Sequence, residues 1–284
     1  MLPSAPADTL SAFCLRILQS GDLAAKLAPA RAGISDRRDS NAVAVPERPA
    51  RDPGLELVAS SEPLPRPGAL VAAPARAACL ARFAHHELLA VELFAFALLR
   101  WPELPGALRR VLAATLRDEQ RHCSLYLERL AAHDGRLADH PHSDYFWRQT
   151  TAIGKSENGP CAFLAAIGLT FEQANLDFTL VYRDAFRVGG DEASAVVCQQ
   201  VHDDEVRHVR SAAVWITRLS PDAESDLDAY QMAVPFPLSL ARAKARRFDR
   251  TARERAGLSE AFIEAVRTAR STQETGLGRG VSKK

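Results

Sequence analysis

The chain has 284 residues, 47% of them hydrophobic, so it is long and apolar enough to bury a sizeable core. Its 36 basic and 35 acidic residues give a net charge of +1, which offers no electrostatic reason to expect a nucleic acid or an anionic membrane as partner. A local basic patch can hide in a neutral total, and the stretch Arg242 to Arg255 is one. We interpret it as the solvated face of a helix, so the sequence carries no strong nucleic-acid signal.

The cysteine pattern and the absence of a long apolar run indicate the compartment. None of the five cysteines forms a CxxC pair, which argues against a zinc site or a disulfide framework. No basic start followed by an apolar run marks a signal peptide, and no apolar stretch reaches the roughly 18 residues that span a bilayer. We therefore expect a cytoplasmic protein without membrane contact.

Four segments are predicted in chain order, and helix formers such as Ala, Leu, Arg and Glu dominate the central one. The N-terminal segment contains one amphipathic helix at about 8–28. The C-terminal segment contains helices at about 238–256 and 259–270, and its last dozen residues are predicted to be disordered. The segments are an N-terminal helical extension (1–39), a Pro-rich connector (40–75), a four-helix block (76–219) and a C-terminal helical extension with a flexible tail (220–284).

The central block is predicted to contain two helical hairpins. The first pairs helices at about 76–100 and 106–133, and the second pairs helices at about 161–188 and 191–219. A polar insert at 134–160 separates the hairpins. Because a short link joins the two helices of each hairpin, these helices must run antiparallel. The sequence therefore predicts an all-α protein whose core is an antiparallel four-helix bundle.

A motif that occurs twice carries the chemistry. The second helix has Asp118-Glu119-Gln120-Arg121-His122 and the fourth has Asp204-Glu205-Val206-Arg207-His208, so both read D-E-x-R-H. A Glu and a His three residues apart lie on one face of a helix, about one turn from each other. Each of these helices can therefore offer a carboxylate and an imidazole to the same metal ion.

The partner helices repeat as well. The first helix has Glu87 followed by Glu92, and the third has Glu172 followed by Asp177. Glu87 precedes Glu119 by 32 residues, and Glu172 precedes its motif glutamate by 33. Two hairpins with nearly the same internal spacing indicate an internal duplication.

The choice between the two acids of each pair rests on height along the hairpin. Glu87 lies about as far before the turn near residue 103 as Glu119 lies after it, which places the two at the same height in an antiparallel pair. Glu92 lies nearer the turn and is rotated away by roughly 140°. We therefore choose Glu87, with Glu92 as the alternative, and by the same argument Glu172 over Asp177.

The candidate ligands interrupt the apolar stripes of their helices. An ionised carboxylate at such a position costs several kcal/mol, and four together repel unless cations neutralise them. Two divalent ions would supply four positive charges. The alternative without metal is a bundle in which Arg121 and Arg207 pair with the acids, but it leaves the matching histidines unexplained. The predicted metal ligands are Glu87, Glu119, His122, Glu172, Glu205 and His208.

Several neighbouring residues receive secondary roles. Metal-bound histidines usually donate their other N–H to a carboxylate, so we expect Asp118 to support His208 and Asp204 to support His122. Tyr126, one turn after His122, is a core residue, lines a substrate pocket or relays electrons. The nearby histidines His85, His86 and His202 are interpreted as packing or surface residues.

The six candidate ligands resemble those of the diiron ferritin-like superfamily, in which two helices each give a Glu and two others each give Glu-x-x-His. The wider chain is similar to a bacterial ferritin-like family of unknown function over most of residues 8 to 270. This likeness includes Gly21–Leu27, Ala84–Leu88 and Arg255–Leu258. The resemblance implies two iron ions, with manganese or a mixed pair as alternatives, and oxygen chemistry.

We expect an enzyme in which a dinuclear iron site activates dioxygen and hydroxylates or desaturates an organic substrate. The long extensions at both ends favour this reading over a storage cage. One alternative is a peroxide or oxygen scavenger or an iron-handling protein, and another is a non-catalytic binding module stapled by metal. The sequence identifies neither the substrate nor the electron donor, and it leaves a homodimer open.

Overall fold

A computed structural model describes residues 9–37, 44–59 and 63–270, so the predicted disordered tail lies outside the described residues. The chain divides into two compact units, residues 1–148 and 149–284. Helices dominate both units, which confirms the prediction of a mainly helical protein. None of the described helices is both long and apolar enough to cross a membrane.

The first unit begins with two short helices, α1 (Leu10–Gln19) and α2 (Leu23–Leu27). The prediction of one helix over 8–28 is therefore wrong, because the chain breaks at residues 20–22. Asp22 caps the new helix by accepting the backbone N–H of Ala25 at 2.9 Å. Gly21 allows the break to pack closely, since a Cβ there would lie 2.0 Å from a carboxylate oxygen of Asp52.

The two long helices of this unit, α3 (Ala73–Arg100) and α4 (Gly106–Ala131), form the first predicted hairpin. Their antiparallel register is visible in two side-chain contacts. Arg109 Nη1 donates to the carbonyl of Leu98 at 2.8 Å, and Cys123 Sγ donates to the carbonyl of Ala84 at 3.2 Å. Residues near the turn thus face each other, and so do residues far from it.

Short elements fasten the connector to the end of this unit. Strand β1 (Leu57–Val58) pairs in parallel with β2 (His142–Ser143), and Trp147 Nε1 donates to the carbonyl of Glu47 at 2.9 Å. Two 3-10 turns lie at Pro67–Val71 and Leu137–Asp139. The Pro-rich connector is therefore fixed in place by backbone pairing with the first part of the predicted insert.

The second unit begins with α5 (Gln149–Lys155) and then forms the second long hairpin. The predicted third helix is present, but it is built of α6 (Gly159–Phe163), a π-helical segment (Leu164–Glu172) and α7 (Gln173–Val188) in succession. The last helix of the hairpin, α8, spans Glu192–Leu219. Wider π turns recur at functional sites, and this π-helical segment ends at the candidate ligand Glu172.

The second hairpin is antiparallel and closely packed. Asn175 Nδ2 donates to Glu205 Oε1 at 3.1 Å, and Cys161 Sγ lies 3.5 Å from Ser220 Oγ. Between these contacts the two backbones approach so closely that a Cβ on Gly168 would lie 2.4 Å from the Cβ of Ala212. Only glycine fits at this crossing without a shift of α8.

The C-terminal extension differs from the prediction. Helix α9 (Asp226–Ala233) was not predicted, and the predicted helix over 238–256 is wrong. That stretch contains a 3-10 turn at Leu240–Arg242, an irregular loop and the short helix α10 (Arg250–Arg255), and α11 (Glu260–Thr268) follows. Residues Ala245 and Asp249 of the loop donate their backbone N–H groups to Asp177, and these tertiary bonds override the helix propensity of the basic run.

The crossing at Gly168 gives a stability prediction. We expect Gly168→Ala to lower the free energy of unfolding by about 1–3 kcal/mol, because the added methyl group overlaps Ala212. The control is Gly154→Ala in α5, where no described atom lies within 4 Å of the added Cβ and alanine is the better helix former. Urea titrations of both variants provide the measurement, and equal midpoints would contradict the close approach.

Candidate metal centre

The first unit brings together three of the predicted ligands. Glu87 comes from α3, and Glu119 and His122 come from successive turns of α4. The Nδ1 atom of His122 lies 4.0 Å from Glu87 Oε2 and 3.6 Å from Glu119 Oε2. One ligand atom from each residue lies within 4.8 Å of the others, and all three side chains are buried. This first triad has the donor atoms and the spacing to hold a metal ion.

The second unit repeats this arrangement. The Nδ1 atom of His208 lies 3.6 Å from Glu172 Oε2 and 3.3 Å from Glu205 Oε2, and these three residues form the second triad. All three side chains are buried. Asn175 holds one oxygen of Glu205, while the buried Oε2 accepts no hydrogen bond from the described part of the chain. The unsatisfied oxygen beside an imidazole nitrogen fits a metal ligand.

The two triads use the same atoms. In each, the Nδ1 atom of the histidine faces two glutamates, one from its own helix and one from the preceding helix of the hairpin. The Nε2 atom lies on the opposite side of the imidazole ring from these glutamates, the side from which metal-bound histidines usually donate to a supporting group. The motif that occurs twice in the sequence therefore forms the same arrangement of side chains in both hairpins.

The alternative ligand of the first hairpin has other partners. Glu92 is buried, with Lys26 Nζ 2.8 Å from one carboxylate oxygen and Arg51 Nη2 2.7 Å from the other. Burial lowers the pKa of Lys26, and the charge of Glu92 opposes this shift. Because two buried cations already neutralise Glu92, its role is to hold α2 and the connector on α3. This favours Glu87 as the ligand.

Asp177 has the corresponding role in the second unit. Arg253 of α10 donates to both of its carboxylate oxygens, at 2.8 and 2.9 Å, and both side chains are buried. The backbone N–H groups of Ala245 and Asp249 donate to the same carboxylate, at 3.0 and 2.7 Å. Asp177 therefore anchors the C-terminal extension, which leaves Glu172 as the acid that faces the histidine.

The sequence did not reveal the cations that neutralise these second acids. Lys26 and Arg253 lie in the N- and C-terminal extensions and Arg51 lies in the connector, all far along the chain from their partners. The sequence holds one signal for such a pair, because Lys26 lies among Leu and Ala in the short apolar helix Leu23–Leu27. In the structure this lysine is completely buried. A lysine on an apolar helix face requires a buried acid as partner.

The two aspartates before the motif glutamates each bind an arginine of their own helix. Asp118 lies 2.9 Å from Arg121, and Asp204 lies 2.6 Å from Arg207. The metal-free alternative assigned these arginines to the acids, but in these ion pairs they bind the aspartates. The support of each histidine by the aspartate of the other motif stays a prediction.

The neighbouring histidines have structural partners. His85 Nε2 donates to the carbonyl of Ser143 at 2.8 Å, and burial lowers the pKa of His85 well below its ordinary value. His202 Nε2 lies 3.1 Å from Asp249, so it links α8 to the segment before α10. Burial also lowers the pKa of His86 to about 3, so this imidazole is neutral. These contacts fit the packing roles expected of the three residues.

Tyr126 is buried one turn beyond His122. Its ring packs against that of Phe83 at a tilt of 51°, with 5.3 Å between the centroids. The thiol of the adjacent Cys123 donates to the carbonyl of Ala84, and burial raises its pKa far above the ordinary value. This end of the first triad is therefore bordered by an aromatic pair and a protonated thiol.

A pair of variants separates the structural acid from the ligand acid. We expect Glu92→Gln to lower the free energy of unfolding by about 3–5 kcal/mol, because it leaves Lys26 and Arg51 buried without their counterion. In protein treated with a chelator, Glu87→Gln should cost less than Glu92→Gln, because it removes one of two like charges that face His122. Denaturant titrations measure both, and an equal loss in the two variants would contradict the assignment.

The comparisons with known proteins give a family but no activity. No curated protein and no solved structure matches the chain. One family model matches residues 18–264 and so includes both triads and the cations that neutralise Glu92 and Asp177. The chain therefore belongs to the family described as "Protein of unknown function (DUF455)".

Proposed function

We propose that the two triads hold two divalent metal ions, iron in the working protein, and that the protein is a non-haem diiron oxidoreductase with a ferritin-like four-helix core. The observation that carries the proposal is the repeated geometry, in which two buried glutamates face the Nδ1 atom of one buried histidine. Such repetition is expected when each half of a duplicated protein contributes the ligands of one ion.

Charge supports metal binding. The fold neutralises Glu92 and Asp177 with buried lysine and arginine, at 2.7–2.8 Å. Glu205 has no such cation among the described residues, and its neighbours are an amide and an imidazole. Neutral histidine cannot compensate a buried carboxylate, whereas a divalent ion compensates two. The donor set of four carboxylates and two imidazoles suits iron or manganese better than a soft metal.

The protein's own residues would prepare the site for oxygen chemistry. Asn175 orients Glu205 through its amide, so that the second oxygen faces His208. Burial of both triads excludes water and so protects a reactive oxidant from side reactions. Tyr126 borders the first triad and is our candidate to line a substrate pocket or carry an electron. Bound iron would supply the activation of dioxygen, and the reaction we propose is hydroxylation or desaturation of an organic substrate.

Metal analysis of variants tests the proposal. We expect natively loaded protein to contain about two iron ions per chain and His208→Ala to retain about one, because one triad remains intact. The control is His202→Gln on the same helix, whose imidazole binds Asp249 and should be dispensable for metal. Loss of no iron from His208→Ala, or zinc alone in the native protein, would contradict the metal assignment.

An oxygen-reactivity spectrum on the same sample tests the chemistry. Reduced, iron-loaded protein should change its absorption spectrum when dioxygen is added, and the two triad variants His122→Ala and His208→Ala should not. Rapid consumption of peroxide without an organic substrate would support the scavenging alternative instead. Iron-loaded protein with no spectral response to dioxygen would indicate a module in which the metal only stabilises the fold.

A further inference from the structure

The second unit has a surface cavity that is lined by none of the residues of its triad. It has a volume of about 610 Å³ and is bordered by α7, the loop at 243–249 and the end of α11. Two aromatic side chains, Phe178 and Phe248, and three cations line it together with alanines, and no acidic side chain of the described residues does. The volume falls within the range of about 300–1,000 Å³ that is typical of small-molecule sites.

The cations of the cavity are Lys244, Arg246 and Arg267, and they differ in their hydrogen-bond and ion-pair partners. Arg267 binds the carboxylate of Glu264 at 2.6 Å and so contributes little net charge. Lys244 Nζ donates to the carbonyl of Arg267. Arg246 is exposed and has no hydrogen bond or ion pair with the residues that the structure describes. The cavity is therefore positively charged.

The other basic residues of the stretch 242–255 differ from the two that line the cavity. Arg247 binds Asp184, Arg250 binds three glutamates and Arg253 binds Asp177. The interpretation of this stretch as the solvated face of a helix is thus incomplete, since these three arginines form ion pairs within the protein. Arg246 and Lys244 are the members that face the cavity.

The loop that carries these two residues is held rigidly. The carboxylate of Asp177 accepts the backbone N–H groups of Ala245 and Asp249, and Arg253 donates to the carbonyl of Ala243 at 2.8 Å. The buried Asp177–Arg253 pair therefore fixes the loop at both of its ends. A site that is already ordered loses less conformational entropy when a ligand binds.

The aromatic side chains of the cavity favour a ligand that has an apolar, planar part as well as a negative charge. The ring of Phe178 is 38% exposed although it is apolar. The guanidinium of Arg253 lies 4.0 Å from the centroid of the Phe248 ring, which holds that ring against the loop. Aromatic side chains stack on planar rings, and arginine and lysine bind phosphate through charge-assisted hydrogen bonds. A ligand that carries both a planar ring and a phosphate matches the side chains that line the cavity.

We infer that the cavity binds an anionic small molecule that carries a planar ring, and that a nucleoside monophosphate represents this chemistry. The C-terminal residues 271–284 are a poor occupant, because they contain one acidic and three basic side chains and would be repelled. The inference is independent of the metal triads, so binding is expected with and without iron.

Calorimetric titration of the full chain with adenosine monophosphate, adenosine and ribose 5-phosphate tests the inference. We expect saturable binding of the monophosphate and an affinity on the order of tenfold lower for each compound that lacks the phosphate or the ring. Arg246→Ala should weaken binding of the monophosphate on the order of tenfold. Phe178→Ala should weaken the monophosphate but not ribose 5-phosphate.

The matched control is Arg247→Ala, which removes the same charge from the adjacent position but takes away a guanidinium bound to Asp184. It should bind the monophosphate like the unaltered protein. An equal loss in the Arg246 and Arg247 variants would overturn the inference, because it would indicate unspecific attraction. Absence of saturable binding, equal binding of ribose 5-phosphate, or binding of a single-stranded oligonucleotide but not of the monophosphate would also overturn it.

Discussion

Carboxylates lose their hydration when they are buried, and this protein buries acidic side chains on both long helices of each unit. It compensates them in two ways. Glu92 and Asp177 receive lysine or arginine from the extensions and the connector, whereas the glutamates of the triads face an imidazole. The first way fixes the fold, because it ties the N- and C-terminal extensions to the hairpins. The second is the basis of the proposed function, because a divalent ion bound between the imidazole and the glutamates would compensate their charge.

The duplication explains why the two kinds of acid occur together. In each hairpin an acid that faces the histidine is followed five residues later by an acid that receives a protein cation. The cations come from different places, namely α2 and the connector in the first unit and α10 in the second. The ligand geometry is thus the same in both hairpins, while the supporting pairs differ. In the second unit the support also fixes the loop that lines the cavity.

The triads could be predicted from sequence because their spacing is local. A Glu and a His three residues apart share a helix face, and equal distances from a turn place Glu87 opposite Glu119. Long-range partners could not be predicted, and Lys26, Arg51 and Arg253 are examples. The break at Gly21 and the π-helical segment before Glu172 were missed for a related reason, since close contacts with Asp52 and Ala212 accompany them. The loop at 243–249 was predicted as helix because its tertiary bonds to Asp177 are not visible in its own residues.

The central claim is that Nδ1 of His122 and Nδ1 of His208 each bind a metal ion together with two glutamates. Crystals of the iron-loaded protein, measured on both sides of the iron absorption edge, test it most directly. The account predicts two anomalous peaks, one at bonding distance from His122 Nδ1 and one at bonding distance from His208 Nδ1, with Glu92 and Asp177 still bound to their cations. Iron at the Nε2 atoms, iron bound by Glu92 or Asp177, or no iron at either triad would contradict it.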